Sequence, residues 1–341
     1  MLAWIAGAAN ASGFLVVHQY TSHMTGMVST LADALVLQQQ RLIWTTLVSL
    51  GCFLAYRAGG MTWSDAFIHM CTTVGLGGMS SHDQSFGYWN APHLEWAAVL
   101  FMGLSGISFA RYFMLWRQRS LSPVLGDTEV RAYIGTLLLC TLLVCAMLLM
   151  EHVIDDFPSA FRQAAFQVVS VATTTGYATT NYLLWPSFVP VLLLFLGCFV
   201  SCAGSTGGGI KMVRVLVLVK IAQRELVRII HPRVVYPVSL GRTAVPPDVI
   251  WAVMAYMLIY GGTMIGMTLL MLASGLDVVT AFTAIVACLN NIGPGLGKVG
   301  PAGNYGVLND FQIWLCSAAM LLGRLELLSV LVLFTPQFWR R

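Results

Sequence analysis

Charged residues are scarce in this chain, and their scarcity excludes most soluble classes of protein. Of its 341 residues, 9% are Asp, Glu, Lys or Arg and 57% are apolar, whereas soluble domains carry roughly 25% charged residues. Several apolar stretches approach or exceed the roughly 20 residues that a helix needs to cross a bilayer. The sequence therefore predicts an all-α, polytopic membrane protein, with candidate spans at residues 94–116, 132–150, 190–203, 249–273 and 313–334.

The chain also lacks the motifs of nucleotide, metal and catalytic sites. Its eight cysteines include no CxxC pair and lie in or beside apolar runs, so we interpret them as packing residues instead of metal ligands. The segment GSTGGGIK at 204–211 lacks the GK[ST] ending of a phosphate-binding loop. No carboxylate pair and no nucleophile with a base is found at membrane depth, which argues against an enzyme. No cofactor is expected.

The excess of positive charge, +4 in total, is interpreted from its placement along the chain: it predicts how the protein is oriented in the membrane and does not indicate a nucleic-acid partner. Cations concentrate in the segment that follows the 94–116 window and in residues 211–242, while the intervening connections carry mainly carboxylates, Glu95 and Asp277 among them. Because basic loops of membrane proteins stay in the cytoplasm, these two segments are expected there. Four residues of the opposite loops are expected to be ordinary surface residues; they are His82, Asp83, Asn304 and Tyr305.

Three stretches repeat one order of elements: a short helix, a polar or glycine-rich strip, and a longer apolar helix. The three strips are Val74, Gly75, Leu76 and Gly77; Thr173, Thr174, Thr175 and Gly176; and Asn290, Asn291, Ile292 and Gly293. The predicted short helices, 63–73, 158–170 and 277–289, are too short to span and must enter and return. A single strip is also compatible with an ordinary loop, but three at comparable places favour a repeated pore loop.

The strips are suited to a monovalent cation. An ion in the hydrocarbon must exchange its water for fixed oxygens, which backbone carbonyls supply without a permanent charge. We interpret Gly77, Gly176 and Gly293 as equivalent positions of the three strips, because glycine tolerates the unusual backbone angles that inward-facing carbonyls require. The short helices direct their negative ends at the same centre, which favours a cation. The strips contain no carboxylate, the ligand that a divalent ion would favour. Cation contacts are expected at Leu76, Gly77, Thr174, Thr175, Gly176, Asn291, Ile292 and Gly293.

A glycine-rich segment interrupts the predicted long helix 190–221. Its residues are Gly204, Ser205, Thr206, Gly207, Gly208 and Gly209. Unwound backbone is tolerated at membrane depth only where it lines a cavity or is buried in protein, so this segment is expected to obstruct the pathway below the strips. The alternative is a simple helix kink.

Two cations are expected to act with that segment. Arg324 lies within the predicted helix 310–334, where a charge costs about 2.5–3.5 kcal/mol on insertion scales, so it is expected to face water or a partner below the strips. The alternative is an arginine that reaches along the helix to the membrane surface. Lys211 is expected to anchor the cytoplasmic side or to contact the glycine segment.

Five units follow from this pattern. Residues 1–40 form an atypical N-terminal membrane segment, 41–116 a pore repeat, 131–221 a pore repeat with the gate segment, 222–247 a basic cytoplasmic loop, and 248–335 a pore repeat. Residues 1–38 weakly resemble the start of uncharacterised YoaK-like inner-membrane proteins, and we assign that segment no function.

Five motifs resemble the TrkH/KtrB superfamily of potassium uptake proteins, and its TrkH branch in particular. They are TTVGLGGMSSHDQSFGYWN, QVVSVATTTGYATT, CAGSTGGGIKMVR, CLNNIGPGLG and LLGRLELLSVLVLFTPQFW, and the resemblance covers about residues 41–341. It implies that the ion is potassium, that four pore-loop repeats surround its path in the bacterial inner membrane, and that the glycine segment and Arg324 gate it. It also implies a homodimer in the lipid bilayer and a cytoplasmic nucleotide-binding regulatory subunit of the TrkA type, contacted by the basic loop.

Three of the four expected repeats are visible, with residues 1–40 in place of the first. Potassium uptake is therefore the expected function, and the first alternative is a truncated or fused fragment that does not conduct. The second alternative is a secondary transporter of another small solute. Such transporters also use broken helices at mid-membrane, but they place them at two inverted breaks instead of three loops of the same sense.

Overall fold

A computed structural model describes residues 40–241, 243–325, 327–332 and 335–339. The regular secondary structure there is almost entirely helical. The helices are α1 Gln40–Ala58, α2 Trp63–Val74, α3 Pro92–Ser105, α4 Phe109–Gln118, α5 Ser122–Leu125, α6 Thr128–Met150, α7 Phe157–Ala172, α8 Phe188–Phe199, α9 Met212–Ile230, α10 Pro247–Ala273, α11 Val278–Leu289, α12 Asp310–Arg324, α13 Leu327–Val332 and α14 Pro336–Trp339. One short antiparallel hairpin, β1 Ser239–Leu240 and β2 Thr243–Ala244, joins α9 to α10. The predictions for residues 1–39 lie outside the described residues.

Long apolar helices identify an all-α membrane protein, as the sequence predicts. Within the described residues, α6 and α10 are each long and apolar enough to cross a membrane, and α3 with α4 adds a third span if the bent pair is counted as one. The windows 190–203 and 313–334 were expected to span but contain shorter helices. Helix α8 has 12 residues and α12 has 15.

The window 94–116, predicted as one span, does not form one continuous helix. Helix α3 is capped by Gly106, and α4 leaves it at an angle of 85°. Two backbone hydrogen bonds join this bend to the break after α8: the Cys202 N–H donates to the Gly106 carbonyl and the Phe109 N–H donates to the Gly204 carbonyl, each at 3.2 Å. Polar groups that one break frees are thus satisfied by the other break, which is how interrupted helices are tolerated in a membrane.

The predicted helix over 310–334 is also interrupted. Helix α12 is capped by Leu325, so Arg324 is its last residue, and α13 follows as a separate helix. The expectation that Arg324 sits well inside one continuous helix is therefore wrong. At the end of α12 its positive charge lies beside unpaired carbonyls and the negative end of the helix dipole, where a cation is stabilised.

Three short helices enter the protein interior and stop there. They are α2, α7 and α11, with 12, 16 and 12 residues, or roughly 18–24 Å at 1.5 Å per residue. In each, the side chain of the N-cap residue accepts a hydrogen bond from the backbone N–H three residues later; the caps are Thr62, Asp156 and Asp277. Pro158 lies in the first turn of α7, and Asp277 is the N-cap of α11.

The core is built around the inner halves of two of these helices. Helix α7 packs against α3, α6 and α8, and residues 164–172 are all buried, as are residues 283–290 at the end of α11. Seven of the eight cysteines are buried, as the packing interpretation predicts, whereas Cys71 is exposed. The C-terminal ends of both helices are therefore held within the protein.

Candidate ion pathway

The three strips share one backbone conformation. Each begins at the C-cap residue of its short helix; these residues are Gly75, Thr173 and Asn290. The following residue is left-handed, with φ of 50° at Leu76, 62° at Thr174 and 55° at Asn291. Two positions later comes a left-handed glycine, with φ of 62° at Gly78, 83° at Gly176 and 100° at Gly293. Non-glycine residues rarely adopt positive φ, so its recurrence shows that the strips are built alike.

This register corrects the predicted match of the first strip. The N–H group of the residue before each left-handed glycine donates to the carbonyl five residues back; the pairs are Gly77 to Thr72 at 2.8 Å, Thr175 to Ser170 at 2.9 Å and Ile292 to Ala287 at 2.8 Å. Gly78, and not Gly77, is therefore the equivalent of Gly176 and Gly293. Val74, predicted in the strip, is the last residue of α2. The sequence alone misplaces the match because the first strip has three glycines from which to choose.

Successive strips lie in direct backbone contact. A Cβ atom placed on Gly78 would lie 1.8 Å from the Thr175 carbonyl oxygen, and one on Gly176 would lie 1.9 Å from the Ile292 carbonyl oxygen. Around Gly293, no atom of the described residues lies within 4 Å of such a Cβ. A cavity of about 410 Å³ is lined by all three glycines. The first strip thus contacts the second and the second contacts the third, while the described residues leave open space beside Gly293.

Hydroxyl groups brace the backbone just beyond each strip. The Ser170 hydroxyl donates to the Tyr177 carbonyl at 2.7 Å, and the Thr72 hydroxyl donates to the Met79 carbonyl at 2.9 Å. The third strip has Ala287, without a hydroxyl, at the corresponding place, and the Tyr305 hydroxyl instead donates to the carbonyl of the strip glycine Gly293, one position earlier, at 2.8 Å. Tyr305 is therefore not the ordinary surface residue that the sequence predicts, because a residue from a distant loop replaces a missing local hydroxyl.

Tyrosine hydroxyls also connect the strips to neighbouring helices. Tyr177 follows the second strip and its hydroxyl contacts Thr72 and Thr73 at the end of α2. The Tyr260 hydroxyl of α10 donates to Asn290 Oδ1 at 3.0 Å. Sequence reasoning did not assign either tyrosine a role, since tyrosines are common in membrane proteins and no motif distinguishes these two.

Carboxylates hold the starts of two short helices. Hydrogen bonding from the Ser81 hydroxyl at 2.6 Å is the main reason that the pKa of Asp65 lies below its usual value. The backbone N–H of Thr280, at 3.0 Å, has the same effect on the pKa of Asp277. Both carboxylates therefore stay ionised at the positive N-terminal ends of α2 and α11, which favours these helix orientations. The opposite, negative ends point at the strips.

The glycine-rich segment contacts the end of α2 and the second and third strips. It is an unwound stretch between α8 and α9, as predicted, and residues 204–211 are called the gate loop from here on, after the role proposed for them below. The Thr206 hydroxyl donates to the Val74 carbonyl at 3.0 Å, and the Gly208 N–H donates to Thr174 Oγ1 at 2.7 Å. A Cβ on Gly208 would lie 2.2 Å from the Asn290 carbonyl oxygen. No side chain fits at that position, so glycine allows the loop to lie against the strip ends.

Both predicted cations reach the gate loop. Arg324 donates to the Thr206 carbonyl at 2.9 Å, and the Lys211 ammonium donates to the Gly207 carbonyl. Helix α12 is held close to the third strip, because Asn291 Nδ2 donates to the Met320 carbonyl at 3.2 Å. The structure therefore brings the predicted strip and gate residues into one contiguous cluster.

A buried ion pair between α3 and α7 was not predicted. Glu95 was assigned to a connection, but it lies in the first turn of α3 and is 3% exposed. Its carboxylate is 3.0 Å from Nε of Arg162 on α7. A glutamate at the edge of an apolar window signals a buried partner, and that signal was available in the sequence.

Comparison with known proteins gives consistent matches over most of the chain. A family model described as TrkH, cation transport protein, matches residues 20–341. The chain is 41% identical over 294 residues to the Trk system potassium uptake protein TrkH of Salmonella typhimurium, with 86% of this chain and 60% of that protein covered. It is 34% identical over 329 residues to the Trk system potassium uptake protein TrkG of Escherichia coli, with 94% and 66% covered.

A solved structure shares the fold. The crystal structure of the potassium transporter TrkH from Vibrio parahaemolyticus matches with a TM-score of 0.84 at 38% identity, over 90% of this chain and 66% of that chain. The chain spans 60 to 66% of the length of these relatives. All of these relatives are transporters by their descriptions.

Proposed function

Because the chain belongs to the TrkH family of cation transport proteins, we propose that it takes up potassium ions across the bacterial inner membrane. The observation that carries this proposal is the contact between strips that share one backbone conformation, Gly78 against Thr175 and Gly176 against Ile292. Three helix C-termini direct partial negative charge at the same centre, which favours a cation. Backbone carbonyls in a constrained strip replace the hydration shell of such an ion.

The filter comprises the residues from the C-cap to the left-handed glycine of each strip. In this assignment the potassium ion contacts oxygens of the second and third strips as predicted, and of Leu76 to Gly78 in the first. The open side beside Gly293 requires a further strip from outside the described residues, since an ion needs oxygens on every side. The open space beside Gly293 is the observation that favours the alternative in which the chain by itself does not conduct.

The gate loop obstructs the pathway on the side away from the cavity. Support comes from its hydrogen bonds to the Val74 carbonyl at the end of α2 and to Thr174 of the second strip, and from its close approach to the third strip. Arg324 adds a positive charge at the same place, which repels a passing cation. In this proposal the gate loop and the basic residues 222–247, which were expected as a loop but comprise the end of α9 and the hairpin after it, face the cytoplasm. The chain forms a homodimer in the bilayer, and a nucleotide-binding regulatory subunit binds on the cytoplasmic side.

Growth and flux measurements test the function together. A strain without its own potassium uptake systems, grown at micromolar potassium, is expected to be rescued when a fourth repeat from a TrkH relative is supplied with this chain. Rescue by this chain without that repeat would contradict the open side beside Gly293. Purified protein in liposomes, supplied with that repeat in this and the following flux measurements, is expected to pass potassium faster than sodium; equal fluxes of the two ions would remove the filter assignment.

Removal of Arg324 is expected to open the pathway partly. In Arg324→Ala the hydrogen bond to the Thr206 carbonyl is lost together with the positive charge. Potassium flux into liposomes is expected to rise about fivefold, a modest factor because the side chain is exposed and exposed charges are screened by solvent. Arg228→Ala, an exposed arginine on α9, is the control, and a flux that is unchanged or lower in Arg324→Ala would contradict the gating role.

A further inference from the structure

Both ends of the gate loop converge on one carboxylate from another helix. Glu129 lies in the first turn of α6. Its Oε1 accepts a hydrogen bond from the Ala203 N–H at 2.7 Å and another from the Val213 N–H at 3.2 Å. Ala203 directly precedes the gate loop and Val213 follows it after one intervening residue. A single oxygen atom therefore ties the entry of the loop to its exit.

The start of α6 that carries this carboxylate is itself fixed. The N-cap residue Asp127 accepts hydrogen bonds from the Glu129 N–H at 2.9 Å and the Val130 N–H at 3.0 Å. The other oxygen of Asp127 pairs with Arg111 on α4. Helix α4 is joined to the gate loop as well, through the bond from the Phe109 N–H to the Gly204 carbonyl. Asp127 and Arg111 thus fix the helix start that carries Glu129, while Glu129 bonds to both ends of the loop.

We propose that Glu129 is a positioning residue of the gate, which keeps the loop seated against the strips by clamping its two ends. A loop with three consecutive glycines has large backbone freedom, and fixed ends limit that freedom. Hydrogen bonds to a carboxylate are stronger than those between neutral groups. The proposal rests on the proposed function only where it names the loop a gate; the clamp itself is a statement about the loop's mobility.

Other bonds at the loop ends do not make Glu129 redundant. The Met212 N–H donates to the Ser201 carbonyl at 2.8 Å, and the Ile210 N–H donates to the Cys198 carbonyl at 2.7 Å. These bonds join α8 to the start of α9 and leave Ala203 without a backbone tie across the loop. Glu129 supplies that tie at the residue where the loop begins.

Ion flux tests the clamp. Purified Glu129→Ala in liposomes, together with whatever repeat the wild type needs to conduct, is expected to pass potassium about tenfold faster, as the loss of a charge-assisted hydrogen bond allows. The potassium-to-sodium ratio is expected to stay unchanged, because the strips are not altered. Glu129→Gln keeps an Oε1 acceptor without the charge, so its flux is expected to lie between those of Glu129→Ala and the wild type, and Glu151→Ala at the other end of α6 is the control. Unchanged flux in Glu129→Ala, or a lower ion ratio, would overturn the proposal.

Thiol labelling tests the clamp without any conduction. Ser205→Cys places a thiol in the gate loop, in a Cys71→Ser background that removes the exposed native cysteine. In detergent, a water-soluble maleimide is expected to react about tenfold faster when Glu129→Ala is added, since the freed loop exposes the thiol more often. Equal labelling rates would overturn the clamp even if the protein conducts. Faster labelling in a protein that passes no ions would support the clamp and contradict only the proposed function.

Discussion

Alanine at Gly78 is expected to lower potassium flux by at least about 30-fold. The added methyl group would lie 1.8 Å from the Thr175 carbonyl oxygen, where backbone of the second strip leaves no room. Overpacking of this kind costs about 1–3 kcal/mol, and a left-handed backbone costs a further 1–2 kcal/mol or so in alanine. Since each 1.4 kcal/mol or so is a factor of ten, the conducting arrangement becomes a small minority.

Liposome flux with potassium and sodium is the measurement for this variant. Gly176→Ala is expected to behave in the same way, because its methyl group would lie 1.9 Å from the Ile292 carbonyl oxygen. Gly103→Ala on α3 is the matched control, as no atom of the described residues lies within 4 Å of the new Cβ. Wild-type flux in Gly78→Ala would show that the first and second strips do not meet as described.

The adjacent glycine separates the two possible registers. At Gly77 an added Cβ meets only the flexible end of Met79, at 3.5 Å, so Gly77→Ala is expected to retain much more flux than Gly78→Ala. The reverse order would restore the match of Gly77 with Gly176 and Gly293 that the sequence suggests. A pair of neighbouring variants therefore decides which glycine belongs to the filter.

Glu95→Gln is expected to destabilise the protein by about 2–4 kcal/mol. The substitution leaves the Arg162 guanidinium beside a neutral amide in a largely buried place, and breaking one side of a buried ion pair costs about 3–5 kcal/mol. The lower figure reflects the exposed fifth of the Arg162 side chain. In detergent, the melting temperature is expected to fall by roughly 5–10 °C.

Two comparisons isolate the ion pair from the mutated position. Glu151→Gln changes an exposed glutamate at the end of α6 and is expected to leave the melting temperature within about 1 °C, since surface charges contribute little. The double variant Glu95→Leu with Arg162→Leu removes both charges and is expected to recover most of the loss. Equal melting temperatures for Glu95→Gln and the wild type would show that the pair does not support α7.

Local chemistry made much of the architecture predictable. Scarce charge and long apolar runs identify a membrane protein, and the short helices follow from runs too short to span. The break at the gate loop follows from three consecutive glycines, which no stable helix interior contains. The cap at Asp277 follows from the preference of a carboxylate for free N–H groups at a helix start. Each of these features depends on neighbours in the sequence.

Features that depend on distant partners were mispredicted or missed. The bend between α3 and α4 is stabilised by hydrogen bonds to residues 202 and 204, about a hundred positions later in the chain. The register of the first strip is set by contact with Thr175, because three neighbouring glycines leave the sequence pattern ambiguous. Tyr305 braces Gly293 only because its loop folds back over the third strip.

The sequence by itself determined that the chain is an all-α membrane protein, that three constrained strips follow short helices, and that a glycine-rich loop interrupts the helix after the second. These properties arise from composition and from residues close in the chain. Only the tertiary structure decided that Gly78 belongs with Gly176 and Gly293, that Glu95 pairs with Arg162, and that Glu129 clamps the gate loop. Steric contact and hydrogen bonding between distant segments have no periodicity or spacing in the sequence, because the packed fold alone brings their atoms together.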